Sequence, residues 1–217
     1  VEDVINIIIP GGNLTTGTGG LLCGYAYFPW SSGRDLIAVA ADCMMSGNTF
    51  AHEIGHYYGL YHTHGKSNCG ATTDELVNGS NCTTAGDDVC DTPADPGLLG
   101  PGCSGYVVNN NCQYTGTLTD NNGDAYNPDI SNIMSYAPGF CRDDLSSGQY
   151  ARVNYYHLNA RDYLTCGSVP GNTNGENCSE ALQIPGNGTF TCDGPASGNG
   201  CHNCGGATHA DWDFYDA

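Results

Sequence analysis

The chain has 217 residues, with 5 Lys+Arg against 23 Asp+Glu and a formal net charge of −18. A surface of that sign repels nucleic acid and anionic membranes, so neither is an expected partner, and no run of 18 apolar residues is present to cross a bilayer. Thirteen cysteines point to an oxidising, extracellular compartment where disulfides staple loop-rich structure.

In chain order, Asp3–Pro10 is a short β-branched apolar run closed by Pro-Gly-Gly and reads as a buried strand. Gly24–Pro29 is aromatic and ends at a proline, which suits an edge strand, and Asp35–Ala41 is a third strand. The period then changes. Phe50, Ile54 and Tyr57 or Tyr58 share a helical face, with Asn48 or Thr49 able to cap its start. Residues 65–145 are rich in Gly, Asn, Asp and Cys without a long periodic segment, as expected of an irregular, disulfide-pinned subdomain. A second helix follows, with a capping-box pattern at Ser146 and Gln149 and a stripe of Tyr150, Val153, His157, Ala160 and Leu164. On that stripe His157 reads as a packed histidine.

Gly167–Asn177 is a linker by composition. Cys178–Ala217 resembles the opening of a further β module, truncated after the alternating Trp212 and Phe214. Structural zinc is a poor account of the cysteines, because only Cys201 and Cys204 have the two-residue gap of a zinc knuckle. Their odd number leaves at least one without a partner inside the chain. Asn13, Asn78, Asn81, Asn177 and Asn187 fit glycosylation acceptors.

Four of the seven histidines fall in HEIGHYYGLYHTHG, His52–Gly65. His52 and His56, four apart, project from one helical face, which suits two imidazoles on one metal. Glu53 is too short to reach that metal easily but is placed to hold its water. Gly59 fits a left-handed helix end, after which the chain turns and returns with His62. Three imidazoles leave a fourth tetrahedral position open, the mark of a catalytic zinc site. His64 falls just outside the pattern, as a solvent-facing or supporting residue.

At these residues the sequence resembles the metzincin metallopeptidases, whose Met-turn is matched by SNIMSYAP, Ser131–Pro138, with Met134 as the apolar floor and Tyr136 two residues on. The finer resemblance is to the pappalysin family. It rests on GLYHTHG followed by Cys69, on GDDVCDTPADPG (Gly86–Gly97), and on NIMSY, Cys141, SSGQYARV and RDYL in that order, over roughly Asp3 to Leu164. The resemblance implies an α+β, metzincin-like catalytic domain over residues 1–166, with a mixed sheet, an active-site helix and an irregular lower part ending in a helix. It implies a secreted endopeptidase in which Glu53 assists a zinc-bound water and Tyr136 either donates to the oxyanion or ligates zinc at rest. It further implies protein or peptide substrates and structural calcium.

Calcium has candidate ligands in Asp87, Asp88 and Asp91, with Asp95 nearby, and in the alternating Asp120, Asn122 and Asp124. Solvated turns would use the same residues. The edge strand Gly24–Pro29 is the candidate to pair with an extended substrate. Only 51 residues precede the zinc motif, fewer than the family's upper part, so a detached N-terminal segment or an incomplete chain is expected. A start at Val1 suggests trimming from a precursor with a propeptide. The loop Ala137–Phe140 lacks the acidic residues of Arg-preferring relatives, so a basic preference after the scissile bond is not implied. Asn78–Gly86 looks like a loop expansion that Cys82 and Cys90 would staple. Cys69, Cys103, Cys112 and Cys141 are expected to pair among themselves. The alternative function is a secreted cysteine-rich binding or adhesion module on a vestigial peptidase fold.

Overall fold

The computed structural model describes residues 4–16, 19–31, 35–44, 48–65, 74–99 and 105–164. They divide between two units. One is Ile5–Ala160; the other, Val1–Val4 with Arg161–Ala217, is described only at Val4 and at Arg161–Leu164, where Asp162–Leu164 forms a 3-10 turn. The linker and the C-terminal β module expected from the sequence, together with Cys69 and Cys103, lie outside the described residues.

The first unit is α+β. Its sheet has the order β1 (Ile7–Ile8), β5 (Ile37–Val39), β4 (Gly24–Ala26), with β1 parallel and β4 antiparallel to β5. The central strand carries the continuous apolar run Ile37-Ala38-Val39 and is buried on both faces, as a strand flanked on both sides must be. The expectation of a buried first strand needs correcting. β1 borders β5 on one side and leaves Ile8 50% exposed. β4 does lie at an edge. Between them a hairpin joins β2 (Leu14–Thr15) to β3 (Leu21–Leu22), which the sequence did not announce. After β5 comes a short helix α1 (Ala41–Met44), whose Cys43 is bonded to Cys23 just ahead of β4. This bridge was not foreseen.

Helix α2 (Thr49–Tyr57) packs on β4 and β5. Beyond it the described parts of the lower region hold isolated bridges and turns, as expected. Their asparagines and aspartates explain how the irregular backbone is satisfied. Asn78, Asp87, Asp95, Asn109, Asp120, Asp129 and Asn132 each accept a hydrogen bond from the backbone N–H two residues on, the Asx-turn that replaces a regular ladder. Apolar content is small: Leu98, Val108, Ala137 and Cys141 form a core edged by Tyr114 and Ile130. Two disulfides among the described residues pin this region. Cys82–Cys90 is as expected, and Cys112–Cys141 is one pair from the expected group of four.

Helix α3 (Ser147–Asn159) starts with the full capping box, Ser146 and Gln149 exchanging hydrogen bonds. Its inward face differs from the expected stripe, since Tyr150 is 58% exposed and Gln149 is fully buried. Gln149, Arg152, Val153, Tyr156 and His157 face inward at i, i+3, i+4, i+7 and i+8. His157 meets the ring of Tyr58 edge-on at 5.8 Å, a packed histidine as expected.

Candidate functional site

The site starts from an unusual helix. Of the expected apolar face of α2, Phe50 and Ile54 are half-buried and Tyr57 is fully buried, and the other deeply buried residues are His52, Glu53, Gly55 and His56. Asn48 holds the N-cap position with a left-handed backbone (φ 60°) and makes no side-chain cap; its amide instead donates to the carbonyl of Arg142.

The C-terminus of α2 closes as a Schellman turn. Leu60 N–H bonds to Gly55 O and Gly59 N–H to His56 O, both at 2.9 Å, with Gly59 at φ +86°. A β-carbon on Gly59 would also run into the Tyr156 ring. This turn does two jobs: it reverses the chain so that His62 returns to the helix, and it aims the Leu60 carbonyl at His56.

His52, His56 and His62 converge. The Nε2 atoms of His56 and His62 lie 3.0 Å apart, and those of His62 and His52 lie 3.1 Å apart. Nδ1 of His52 donates to Ile133 O at 2.8 Å and Nδ1 of His56 to Leu60 O at 2.7 Å, which fixes the tautomers and turns the Nε2 lone pairs inward. Burial pushes all three imidazoles below their ordinary range, His56 to about 4, so they are neutral. The Nε2 lone pairs of His52 and His56 both point at Nε2 of His62, so a cation set among the three nitrogens would take all of them as ligands. A tetrahedral zinc ion would hold its nitrogens roughly 3.3 Å apart, close to the observed separations. Among the described residues, this is the only group of three or more His, Cys, Asp or Glu side chains whose ligand atoms come within 4.8 Å of one another.

The Met-turn lies beneath. Met134 is fully buried, and its sulfur occupies the space that a β-carbon on Gly55 would need. Its amide is held by Asn132 Oδ1 at 2.9 Å, and Asn132 Nδ2 in turn donates to Gln149 Oε1 at 2.8 Å. The capping residue of α3 thereby fixes the Met-turn. From the same helix, Arg152 donates to Gly59 O at 2.9 Å, holding the Schellman turn. After His62, Thr63 Oγ1 donates to Asp95 at 2.5 Å and Thr63 N–H to Met134 O at 3.2 Å. His64 is not at the solvent surface. It is 1% exposed and stacked on His62 with ring centroids 5.0 Å apart, and the Tyr136 ring leans on both at 4.4 and 4.5 Å.

Glu53, Tyr136 and the three histidines line a cavity of about 490 Å³ whose wall includes β4. Burial pushes Glu53 up to about 8, opposed by the nearby Arg142 guanidinium. Burial, reinforced by Glu53, also raises Tyr136 and keeps its phenol protonated. The Glu53 carboxylate lies against Gly24 of β4 so closely that a β-carbon there would overlap it.

Two contributors escaped the sequence reading. Gly24 touches Glu53 across a separation of 29 residues, and no local pattern marks such a pair. Arg142 lines the cavity and donates to Ile133 O at 3.2 Å and Ser135 O at 3.3 Å. Its one sequence signal is that a chain with 5 Lys+Arg places one directly after a Met-turn cysteine.

The calcium candidates separate. Asp91 accepts from Ser146 Oγ and Gly148 N–H, both at 2.7 Å, completing the start of α3. Asp120 accepts from the amides of Val77, Asn122 and Asp124 and shapes a turn whose Asn122 and Asp124 are exposed. Asp91 and Asp120 thus accept backbone amides, as in the solvated-turn alternative. Asp87 differs: it is 1% exposed, and its Oδ2 is buried without a hydrogen-bond partner. Glu75, which is also buried, feels the charges of Asp87, Asp95 and Asp88.

No protein-family model matches the chain. It is 30% identical over 149 residues to an extracellular metalloprotease of Verticillium alfalfae, covering 61% of this chain and 43% of the relative. It is 29% identical over 153 residues to one of Podospora anserina (64% and 43%) and 31% identical over 118 residues to one of Sordaria macrospora (52% and 32%). The chain thus spans less than half the length of these relatives. Among solved structures, it aligns with Tannerella forsythia mature mirolysin in complex with a cleaved peptide at 21% identity and a TM-score of 0.46, covering 74% of this chain and 55% of that one.

Proposed function

We propose that the chain carries the catalytic part of a secreted zinc-dependent endopeptidase, metzincin in type and pappalysin in family. The observation that carries this reading is the convergence of three imidazoles, two of them oriented by backbone carbonyls, beside a buried glutamate in a cleft. The extracellular metalloprotease relatives support the same activity and compartment, as do the disulfides.

His52, His56 and His62 hold the metal. When bound there, zinc would polarise the scissile carbonyl and make water acidic enough to attack near neutral pH. Glu53 takes the proton from the attacking water and delivers it to the leaving amine. Tyr136, protonated and beside His62, donates to the oxygen that gains charge. The polypeptide substrate lies extended along the outer edge of β4, as a further strand of the sheet. A binding or adhesion module would require neither Glu53 at this position nor an open fourth position.

Structural calcium forms part of the reading at Asp87, whose Oδ2 is buried without a hydrogen-bond partner. Buried carboxylates such as Asp87 gain most from a cation that also takes main-chain carbonyls and water.

The test is digestion of a denatured protein mixture with and without a zinc chelator, with cut sites read by mass spectrometry. Cleavage is expected to vanish with the chelator and return with zinc. Glu53→Ala is expected to retain stoichiometric zinc while losing at least about 10³-fold in kcat. Normal turnover by that variant would sink the mechanism.

A further inference from the structure

Beyond β4 the cleft gains an aromatic wall. Pairing with the β5 side runs on to Tyr27, whose N–H donates to Leu36 O at 3.2 Å. Phe28-Pro29-Trp30-Ser31 then turns back, with Ser31 N–H donating to Phe28 O at 2.9 Å and proline in the second turn position, which suits its fixed φ. The turn brings the Phe28 and Trp30 rings into a stack, 4.8 Å between centroids. Phe28 also leans on the ring of His56 at 5.3 Å and on that of Tyr61 at 5.4 Å. Both Phe28 and Tyr61 line the cleft and are half-buried. Trp30, 48% exposed, completes the cluster, meeting Tyr61 at 5.7 Å and Tyr156 of α3 at 5.5 Å.

Such a wall favours one class of side chain. Aromatic rings add offset-stacked or edge-to-face contacts to the burial of apolar area, and large aliphatic groups gain the burial alone. A basic side chain is disfavoured, because the Arg152 guanidinium already lies 5.2 Å from the Tyr61 ring centroid. A carboxylate would face the negative faces of the rings.

The position of the wall sets which part of a substrate meets it. β4 runs from Gly24, which abuts Glu53, toward Phe28 beside His56. Antiparallel pairing is the more stable per residue. A substrate antiparallel to β4 has its N-terminal part at Phe28 and its leaving amine toward Glu53, the group that delivers the proton. An extended residue spans about 3.3–3.6 Å, so the ring next to His56 is one or two residues from the scissile bond.

We propose that Phe28, flanked by Tyr61 and stacked on Trp30, is a specificity-determining residue that selects substrates with an aromatic or large aliphatic side chain within the two positions N-terminal to the scissile bond. This rests on the peptidase reading above.

The experiment uses the zinc-loaded chain on a proteome-derived peptide library, then on matched peptides carrying Phe, Leu, Lys or Ala at the enriched position. Phe, Tyr and Leu are expected to be enriched in the last two positions before the cut, with kcat/KM favouring Phe over Ala by about tenfold or more and Lys no better than Ala. Phe28→Ala is expected to bring the Phe-to-Ala ratio near one. Because Phe28 also packs on a metal-binding histidine, zinc content is measured for every variant, and Phe28→Leu and Trp30→Ala provide a second test. Each is expected to lower the ratio by about threefold or more through the loss of ring contacts. A purely structural role would lower all rates together without moving the ratio. Cleavage without apolar enrichment before the cut, a preference for Lys there, or a ratio unchanged in Phe28→Leu and Trp30→Ala overturns the proposal and leaves the peptidase intact. No cleavage of any peptide by the zinc-loaded chain overturns both.

Discussion

Glu53 and Gly24 meet with no room for a methyl group between them, so the edge strand that would receive substrate also backs the carboxylate proposed as the general base. Gly24 is paired with Val39 in an ordinary antiparallel register and is not among the positive-φ glycines. Alanine is therefore tolerated by its backbone, and the substitution acts through Glu53 alone. Gly24→Ala is expected to lower kcat about 10²-fold, the usual cost of misplacing a reacting group by about 1 Å, while zinc content and fold are retained. Gly12, with nothing within 4 Å of its β-carbon position, is the control: Gly12→Ala should leave kcat unchanged. Steady-state kinetics with zinc analysis checks both. The histidines and Glu53 were legible in the sequence because helical spacing and one turn dictate their meeting, whereas Met134 and Tyr136 were legible only through the resemblance of Ser131–Pro138 to a Met-turn. Gly24 and Arg142 reach the site from 29 and 90 residues away from their partners, and pairings at that range leave no periodic trace.

At the scale of elements, α3 acts as a brace for α2 and the Met-turn. Gln149 satisfies the start of its own helix and, in the same geometry, locks Asn132, which holds the amide of Met134. Arg152, one turn on, holds the carbonyl of Gly59. The capping box was legible, because it is a local code of two residues. The inward face was misread by one position because it is polar: Gln149 and Arg152 are buried by hydrogen bonding, which a search for apolar periodicity cannot detect. Truncating Gln149 removes the side-chain half of the capping box, leaving the cap from Ser146 Oγ, and leaves the buried Asn132 amide unsatisfied, at about 2–3 kcal/mol. Gln149→Ala is expected to lower the urea midpoint accordingly. It should also weaken zinc binding, since Met134 and the Ile133 carbonyl that orients His52 share this segment. A variant with unchanged zinc affinity would mean that the brace supports the fold but not the metal centre.

Across the whole molecule, the acidic and amide side chains have a structural use. Much of the lower region is built on Asn and Asp side chains that satisfy backbone amides, so a sequence without long periodic segments still folds into one arrangement. Composition showed that this region would be irregular, but not which carboxylates would shape turns and which would stay buried beneath them. Asp120 belongs to the first group, with three backbone amides on its oxygens. Asp87 belongs to the second: burial pushes it up to about 7 despite hydrogen bonds from Thr92 and Val89, and Glu75 beside it goes up to about 8. Neighbouring buried acids of this kind destabilise a fold when ionised unless a cation neutralises them. Calcium at about a hundred times its dissociation constant would add about 2.7 kcal/mol, worth roughly 5–10 °C in Tm for a chain of this size. Thermal melts at pH 8 with zinc supplied, in calcium and then in a calcium-selective chelator, should differ by that amount. Asp87→Asn should abolish the difference, whereas Asp120→Asn should lower Tm but keep it. Identical melting with and without calcium would mean that Asp87 remains protonated and that the lower region relies on its turns and disulfides alone.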